Sequence, residues 1–499
     1  MTPPDTAPPA TMTRAELRRA FLRSFPGIAP AIIIAAIDQT IVATALPAIA
    51  GSLGAVERIS WVVVAWLIAA TIAAPVFGRL GDAHGRRRML FVALGIQALG
   101  ALVSATAPSF AVLIAGRLLQ GLGGGGLATL AMALIAEAVP PRERGQFQAY
   151  IVASFTTASL LGPLLGGWLA QGFGWRGIFW AMLPLSALAW GLALRIPARP
   201  GSGGSFKLDV AGVVLFAAFV TPALLALQAA QRLSLAGLPL ILGLAALAGL
   251  ALLLLLRQER RARDPLLPLA LLAEPTILRS NLLTGCAHGA LVALVTFLPI
   301  WLQSVRGLAP AQAGLMLLPL SLGGAMGGLT AGRLMTRTGL GMPIAGFGLG
   351  LAAVALLAVA WLAPGLPRPW LALLFVLVSF GTGCSYPTSQ ITVQVAAGPA
   401  WLGAAAGSVQ FSRTLGAAIA TTLLGTLLFG TLAAGDPQAA ALFARLVQEG
   451  PALLPGLAEA ERVALRDGLT GAFRAAFGGA ALLVAVGSWL AWRVPVQRI

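Results

Sequence analysis

The sequence contains few charged residues, and this scarcity excludes an ordinary soluble protein. Only 10% of its 499 residues are charged, whereas 58% are hydrophobic and the mean hydropathy is +0.89. Soluble domains are about one quarter charged. We therefore predict a protein that crosses a lipid bilayer many times.

Cysteine and the motifs of soluble enzymes are also scarce. The two cysteines, Cys286 and Cys384, each lie in an apolar run, so they indicate no disulfide framework. No Gly-Lys-Ser/Thr phosphate loop occurs, so ATP is not the expected energy source. We predict that the protein is not an enzyme and has no metal site and no cofactor. The Pro-rich start, Met1 to Ala10, has no apolar core, so no cleaved signal peptide is expected.

Long apolar runs are abundant. A helix that spans a bilayer needs about 20 apolar residues, and by this measure we count fourteen runs, from Ile28–Leu53 to Phe473–Trp492. The 60 glycines and 33 prolines suit membrane helices, where small residues allow close packing. The predicted fold is an all-α polytopic membrane protein with fourteen transmembrane helices.

The net charge of +17 does not indicate nucleic acid as a partner, because the charge lies in short loops between apolar runs. If the N-terminus is cytoplasmic, 22 of the 33 Lys and Arg residues lie in inside segments and nine in outside loops. This bias follows the positive-inside rule and predicts that both termini are cytoplasmic.

The two parts of the chain repeat each other. Leu46-Pro47, Gly78-Arg79-Leu80 and Gly121-x-Gly123 recur as Leu298-Pro299, Gly332-Arg333-Leu334 and Gly381-x-Gly383 at nearly one spacing. Two such repeats of six helices place a substrate site between them. We predict a cytoplasmic N-terminal tail with an amphipathic helix (1–26), a first six-helix bundle (27–200), two inserted helices (208–258) and a second six-helix bundle (275–495) that includes an outside loop (434–472).

Asp38 lies near the middle of the first apolar run. A charge at that depth costs at least ~2.5–3.5 kcal/mol, so intramembrane acids are usually functional. We interpret Asp38 as a group that binds and releases protons, with Arg117 as its partner; the alternatives are a permanently ion-paired structural acid and a fixed tether to carbonyl groups.

Other polar and aromatic residues in the apolar runs are candidates to line a cavity: Gln120, Phe155, Tyr386, Gln410 and Arg413. Each of them also fits a contact between helices or a position facing lipid. A lone histidine in a membrane is more often a hydrogen-bonded packing residue, and we interpret His288 in this way.

The loop from Gly78 to Leu90 resembles the signature loop of the major facilitator superfamily, Gly-x-Leu-x-Asp-x-x-Gly-Arg. The matching residues are Gly78, Asp82, Gly85 and Arg86. The resemblance implies that they help close the cytoplasmic side, and that Arg86 pairs with Glu137 at the inner end of the fourth span.

A second element, Leu161 to Gly167, resembles the one associated with antiporters of this superfamily. Gly162 and Gly166 form a small-residue face, Pro163 is expected to bend the helix, and Gly167 completes the element. We interpret the face as one that moves against the opposite half.

Further stretches, including Asp38-x-Thr40 and Gln410-Phe-Ser-Arg413, resemble the fourteen-span drug/proton antiporters of the EmrB/QacA type. The resemblance implies a major facilitator fold in a bacterial inner membrane and export of small amphipathic or hydrophobic compounds in exchange for protons. Because Asp38 is the only acid near the midplane and Arg413 adds positive charge, a strictly dicationic substrate is not expected.

The expected partners are the lipid bilayer and a small-molecule substrate, with protons as the coupling ion. Some members of the family also use a periplasmic adaptor protein; otherwise a monomer is expected. Two alternatives stay open: a proton-coupled symporter that imports a metabolite, and a sensor or scaffold of the same fold that transports nothing.

Overall fold

The computed structural model describes residues 14–54, 58–199, 201, 206–231, 237–449 and 459–498. These residues form α-helices and no β-strand, which confirms the predicted all-α architecture. The helices are α1 (Arg14–Ile41), α2 (Leu46–Leu53), α3 (Trp61–His84), α4 (Arg86–Ala105), α5 (Phe110–Ala138), α6 (Arg144–Phe173), α7 (Trp175–Ala193), α8 (Val210–Ala230), α9 (Leu238–Arg261), α10 (Leu269–Leu272), α11 (Pro275–Ser304), α12 (Pro310–Leu315), α13 (Leu318–Thr338), α14 (Met342–Leu362), α15 (Arg368–Ala397), α16 (Leu402–Gly435), α17 (Pro437–Glu449) and α18 (Glu459–Arg493).

Thirteen of the helices in this part of the chain are long and apolar enough to cross a membrane. The helix α6, which covers the predicted span Phe147–Gln171, is not among them. The predicted count of fourteen spans is therefore not confirmed, and the side on which the termini lie stays a prediction.

Glycines set the spacing of the helices in the first half of the chain. A methyl group on Gly121 or Gly125 of α5 would overlap the backbone of α3, and one on Gly123 would meet Gln97 of α4. Such close approach needs residues without a side chain. These glycines of α5 thus serve helix packing.

The second half has the same kind of contact. Gly323 and Gly327 of α13 lie against backbone carbonyls of α15. The core of this half contains the fully buried side chains of Trp301, Phe375 and Phe473. The helix α17 contributes to it through Phe443, which is also fully buried.

The helices α8 and α9 lie over the boundary between the halves. Phe216 of α8 is fully buried and contacts Phe411 of α16 with a ring separation of 5.4 Å. The same apolar cluster includes Ile68 of α3. This helix pair therefore contacts one helix of each half.

The two halves approach most closely at one end of the molecule, which we call the gate end. Gly78 of α3 and Gly403 of α16 lie so close that a methyl group on either would overlap the carbonyl oxygen of the other. The same is true of Gly145 of α6 and Gly332 of α13. Gly332 is the repeat counterpart of Gly78, so the two contacts are related by the internal repeat. No such glycine contact joins the halves at the opposite end within the described ranges.

Candidate functional site

A buried ion pair at the centre of the first half joins the helices α1 and α5. Arg117 Nη1 of α5 donates to Asp38 Oδ1 of α1 over 2.9 Å, and neither residue exposes more than 1% of its surface. Gln120 Nε2 donates to the same oxygen over 3.0 Å. Ser104 Oγ of α4 in turn donates to Gln120 Oε1 over 3.1 Å. The structure thus brings the two predicted proton-coupling residues into direct contact.

The other groups of this network differ in how well they are bonded. Arg117 Nε donates to the carbonyl oxygen of Val62 in α3 over 3.1 Å, and its guanidinium lies 5.9 Å from the ring of Trp66. Asp38 Oδ2 is buried and has no hydrogen-bond partner among the described residues. This oxygen is therefore the free acceptor of the site, and a proton could bind there without displacing an existing bond.

The helix that carries Asp38 is interrupted one turn later. The helix α1 ends at Ile41, a 3₁₀ turn covers Val42–Ala45, and α2 begins at Leu46. Pro47 explains the break, because proline has no N–H group and clashes with the preceding turn of a helix. A 3₁₀ segment between helical parts often marks a hinge. The predicted single span from Ile28 to Leu53 is thus two helices with a joint beside the acid.

At the gate end, Arg86 joins two carboxylates. Its Nη2 lies 2.7 Å from Asp82 Oδ1 and its Nη1 lies 2.7 Å from Glu137 Oε2. Gly85 has a φ of +92°, a conformation that favours glycine, and this allows the sharp turn between α3 and α4. The structure therefore brings together Asp82, Arg86 and Glu137, the three charged residues that the resemblance assigned to a gate.

Asp82 also connects the two halves. Its Oδ1 accepts the backbone N–H of Gly403 over 2.8 Å, and its Oδ2 accepts that of Ala404 over 2.9 Å. These N–H groups belong to the first turn of α16 and have no partner within the helix. The positive end of the helix dipole also lies there. One buried carboxylate thus neutralises Arg86 and caps a helix of the opposite half.

The glycines of the antiporter-like element of α6 face Thr40 of α1 and Thr44 of the turn that follows it. A methyl group on Gly162 would overlap Thr40 Oγ1, and one on Gly166 would overlap Thr44 Oγ1. The two glycines of this face thus pack on a helix of their own half, and its movement against the opposite half stays a prediction. Gly167 has open space in front of it, and Pro163 lies within α6.

A cavity of about 200 Å³ lies between the halves. Phe155 of α6 and Tyr386 of α15, two of the predicted cavity residues, line it from opposite sides. Among the described residues, the polar side chains at its wall are Thr284, His288, Ser321, Thr382, Ser385 and Tyr386. The remaining wall is apolar, so the cavity suits a compound with a hydrophobic body.

Three other predicted cavity residues lie elsewhere. Gln120 is fully buried and bonds to Asp38 and Arg117 in the central network. Gln410 is only partly buried and is not part of the cavity wall. Arg413 is buried behind Tyr386, with its guanidinium carbon 3.5 Å from the centre of that ring.

Sequence reasoning missed several residues of the site. Arg199 follows α7, and its Nη1 donates to the carbonyl oxygen of Glu137 over 3.0 Å, which adds a second arginine to the gate. Gly403 and Ala404 bind Asp82 through their backbone N–H groups. Because any residue except proline has such a group, the residue types at these positions do not indicate the contact. The Pro399–Trp401 turn before α16 was the one available signal, because it marks a helix start.

Two helical halves that meet at one end, a cavity between them and a buried ion pair inside one half define the class of the protein: a membrane transporter. A family model described as Major Facilitator Superfamily matches residues 28–421. The chain belongs to the major facilitator superfamily.

Several curated proteins resemble the chain. An uncharacterized MFS-type transporter of Mycobacterium tuberculosis is 32% identical over 436 residues, which are 86% of this chain and 63% of that protein. Multidrug resistance protein 3 of Bacillus subtilis is 26% identical over 405 residues, 80% of this chain and 78% of its own length. The efflux pump FUS6 of Gibberella moniliformis is 33% identical over 328 residues, 63% and 57% of the two chains. This chain thus spans about 63% of the length of the Mycobacterium relative.

Solved structures show the same fold at low sequence identity. The human organic anion transporter MFSD10 (TETRAN) has a TM-score of 0.64 at 19% identity and covers 97% of this chain and 100% of its own. The Escherichia coli fucose:proton symporter FucP has a TM-score of 0.61 at 14% identity, with 95% and 99% covered. The predicted major facilitator fold is therefore confirmed.

Proposed function

We propose that this protein is a proton-coupled exporter that moves small amphipathic or hydrophobic compounds out of the cytoplasm of a bacterium, across its inner membrane. We assign it to the fourteen-span drug/proton antiporter branch of the superfamily. The observation that carries the proposal is the buried carboxylate of Asp38, which Arg117 and Gln120 hold through Oδ1 and which keeps Oδ2 free.

Protonation of Asp38 would remove the counterion of Arg117. Arginine keeps its own proton in proteins, so a buried cation would be left without an anion. Breaking one side of a buried ion pair costs about 3–5 kcal/mol. A shift of a two-state equilibrium from 1:99 to 99:1 needs about 5.5 kcal/mol. One proton at Asp38 therefore supplies most of the bias that a change of conformation requires.

A series of contacts leads from Asp38 to the cavity and to the gate. The helix α1 touches α6 through Thr40, which faces Gly162, and the 3₁₀ turn after α1 touches it through Thr44, which faces Gly166. The same helix α6 lines the cavity with Phe155 and meets the second half at Gly145. A movement of α1 at the joint after Asp38 would thus reach both the substrate and the contact between the halves.

The gate supplies the second requirement of alternating access, a barrier that closes one side at a time. Asp82 holds the gate end shut through its bonds to the first turn of α16, and Arg86 pairs with both Asp82 and Glu137. Opening this end requires Asp82 to leave Gly403 and Ala404, while both ion pairs of Arg86 lie within the first half. The inward movement of each proton provides ~2.3 kcal/mol per 100 mV of membrane potential toward the cycle.

Two findings support export over import. The relatives include proteins called Multidrug resistance protein 3 and efflux pump FUS6. The Gly162–Gly167 element also resembles that of antiporters. A symporter that imports a metabolite remains the alternative, and the direction of the pH gradient separates the two.

The proposal is tested with purified protein in proteoliposomes, using ethidium and naphthalene-2-sulfonate as probes and potassium with valinomycin to clamp the potential. An antiporter accumulates a probe inside vesicles whose interior is acidic, because protons leave as the probe enters. Asp38→Asn is expected to lose this accumulation. Asp467→Asn, which alters an exposed aspartate of α18, serves as the control and should transport like the wild type.

Two results would refute parts of the proposal. If Asp38→Asn accumulates the probe at the original rate, Asp38 is not the coupling site. If the wild type accumulates the probe only when the outside is acidic, the protein is a symporter.

A further inference from the structure

We infer that the cavity binds amphipathic compounds that carry an anionic group, and that Arg413 attracts this group. The inference rests on the proposed function, because it names the class of compound that would be exported. It depends on how Arg413 is surrounded and on the composition of the cavity wall.

Arg413 is a buried cation without a counterion. Only 3% of its surface is exposed, and its Nε and Nη2 atoms are buried without a hydrogen-bond partner. No ion pair of Arg413 with an acid occurs within the described ranges. Arg117, equally buried in the first half, is paired with Asp38. The contrast is informative, because a buried charge is normally paired or hydrogen-bonded.

The position of Arg413 connects it to the cavity. Its guanidinium lies over the ring of Tyr386 at 3.5 Å, and Tyr386 is part of the cavity wall. The ring of His288, also in the wall, lies 6.3 Å from that of Tyr386. A cation over the ring withdraws electron density from the phenol, so the hydroxyl of Tyr386 becomes a stronger hydrogen-bond donor toward an anionic oxygen.

Among the described residues, the cavity wall contains no acidic side chain that would suit a cation. Three of its hydroxyl groups are already used. Thr284 donates to the carbonyl oxygen of Ser280 over 2.7 Å. Ser385 donates to that of Thr382 over 2.6 Å, and Thr382 itself donates to that of Val378 over 3.2 Å. A cationic compound would therefore place a second positive charge near Arg413 without a partner. An anionic compound instead supplies the missing counterion while its hydrophobic body fills the apolar part of the cavity.

Binding to purified protein tests this inference without any proton gradient. The protein is placed in phosphatidylcholine nanodiscs, which carry no net charge, and titrated with naphthalene-2-sulfonate or with 2-naphthylmethylammonium. The two probes share an aromatic body and differ in charge. We expect the sulfonate to bind the wild type more tightly, and Arg413→Gln to weaken its binding ~10-fold or more, because the variant loses the buried positive charge that attracts the sulfonate.

Two variants complete the design. Arg413→Lys keeps the charge and should retain part of the affinity for the sulfonate, whereas Arg337→Gln removes an exposed charge of α13 and should leave it unchanged. If Arg413→Gln does not fold, Tyr386→Phe takes its place, because it keeps the ring and removes the hydroxyl.

The inference is overturned if the wild type binds the ammonium probe as tightly as the sulfonate, or if the sulfonate affinity survives in the variant of Arg413 or Tyr386. Failure of the proposed function looks different. Sulfonate binding that depends on Arg413, without accumulation in acidic vesicles, would keep this inference and remove proton-coupled export.

Discussion

Two buried glutamines of the first half differ in whether their side-chain amides are hydrogen-bonded. Gln120 is fully buried and bonds to Asp38, Arg117 and Ser104. Gln97 is equally buried, yet both polar atoms of its amide lack a hydrogen-bond partner among the described residues. A bonded and an unbonded buried amide should respond oppositely to replacement by an apolar side chain.

We therefore predict opposite effects for one substitution at these two sites. Gln120→Met leaves Arg117 and Asp38 with fewer partners and should lower the free energy of unfolding by about 1–3 kcal/mol. Gln97→Met removes an unbonded amide and should leave the stability unchanged or raise it. Thermal unfolding of both variants in nanodiscs measures the difference. Equal destabilisation would contradict the assigned network.

For single residues, the sequence indicated which ones are functional better than it indicated which residues they contact. A lone acid in an apolar run identifies Asp38 without any structure, because its insertion cost demands a reason. Gln120 was instead assigned to the cavity. Its place follows from helical spacing, since residues three apart share a face with Arg117. Because α5 is apolar and glycine-rich on every side, its pattern does not show which face is turned toward α1.

Among the elements, α16 shows how one helix can serve two contacts with different demands. Near its start, Gly403 meets the carbonyl oxygen of Gly78 and the carboxylate of Asp82. Toward its other end, Gly430 has open space in front of it. The first glycine is required by the closed gate, whereas the second is not.

Gly403→Ala should therefore open the gate end. The added methyl group overlaps the backbone of α3, and overpacking of this kind costs about 1–3 kcal/mol, which corresponds to roughly a 5- to 150-fold shift between two states. Transport in proteoliposomes should fall accordingly. Gly430→Ala on the same helix is the control and should transport normally. Normal transport by Gly403→Ala would show that the contact with Gly78 is not needed.

The helices themselves were largely predictable, because runs of about 20 apolar residues define them. The contact between Asp82 and Gly403 was not, since it joins residues 321 positions apart. It depends on how α3 and α16 are placed relative to one another, and the loop motif shows only that Asp82 has a partner. The internal repeat says more about how the helices of the two halves are placed, because it relates the Gly78–Gly403 contact to the Gly332–Gly145 contact.

For the whole molecule, the described ends of the chain lie on the same side. Gly27 of α1 fits against Leu192 and Ile196 near the end of α7. The carbonyl oxygen of Gln497 accepts the N–H of Gly341, just beyond the gate-end terminus of α13. From this arrangement we predict an even number of crossings. We predict that α6 is the fourteenth span, because it contains no charged residue after Arg144.

Cysteine labelling tests this topology and the role of α6 together. In a chain with Cys286→Ser and Cys384→Ser, we introduce His84→Cys at the gate end, Ala441→Cys in α17 or Gly172→Cys near the end of α6; all three positions are exposed. A membrane-impermeant maleimide should label Ala441→Cys and Gly172→Cys in spheroplasts, and His84→Cys only after lysis. The positive-inside bias sets this orientation, because arginines concentrate beside His84. If Gly172→Cys instead behaves like His84→Cys, α6 does not cross the membrane, and the contacts that lead from Asp38 to the cavity lose their connecting helix.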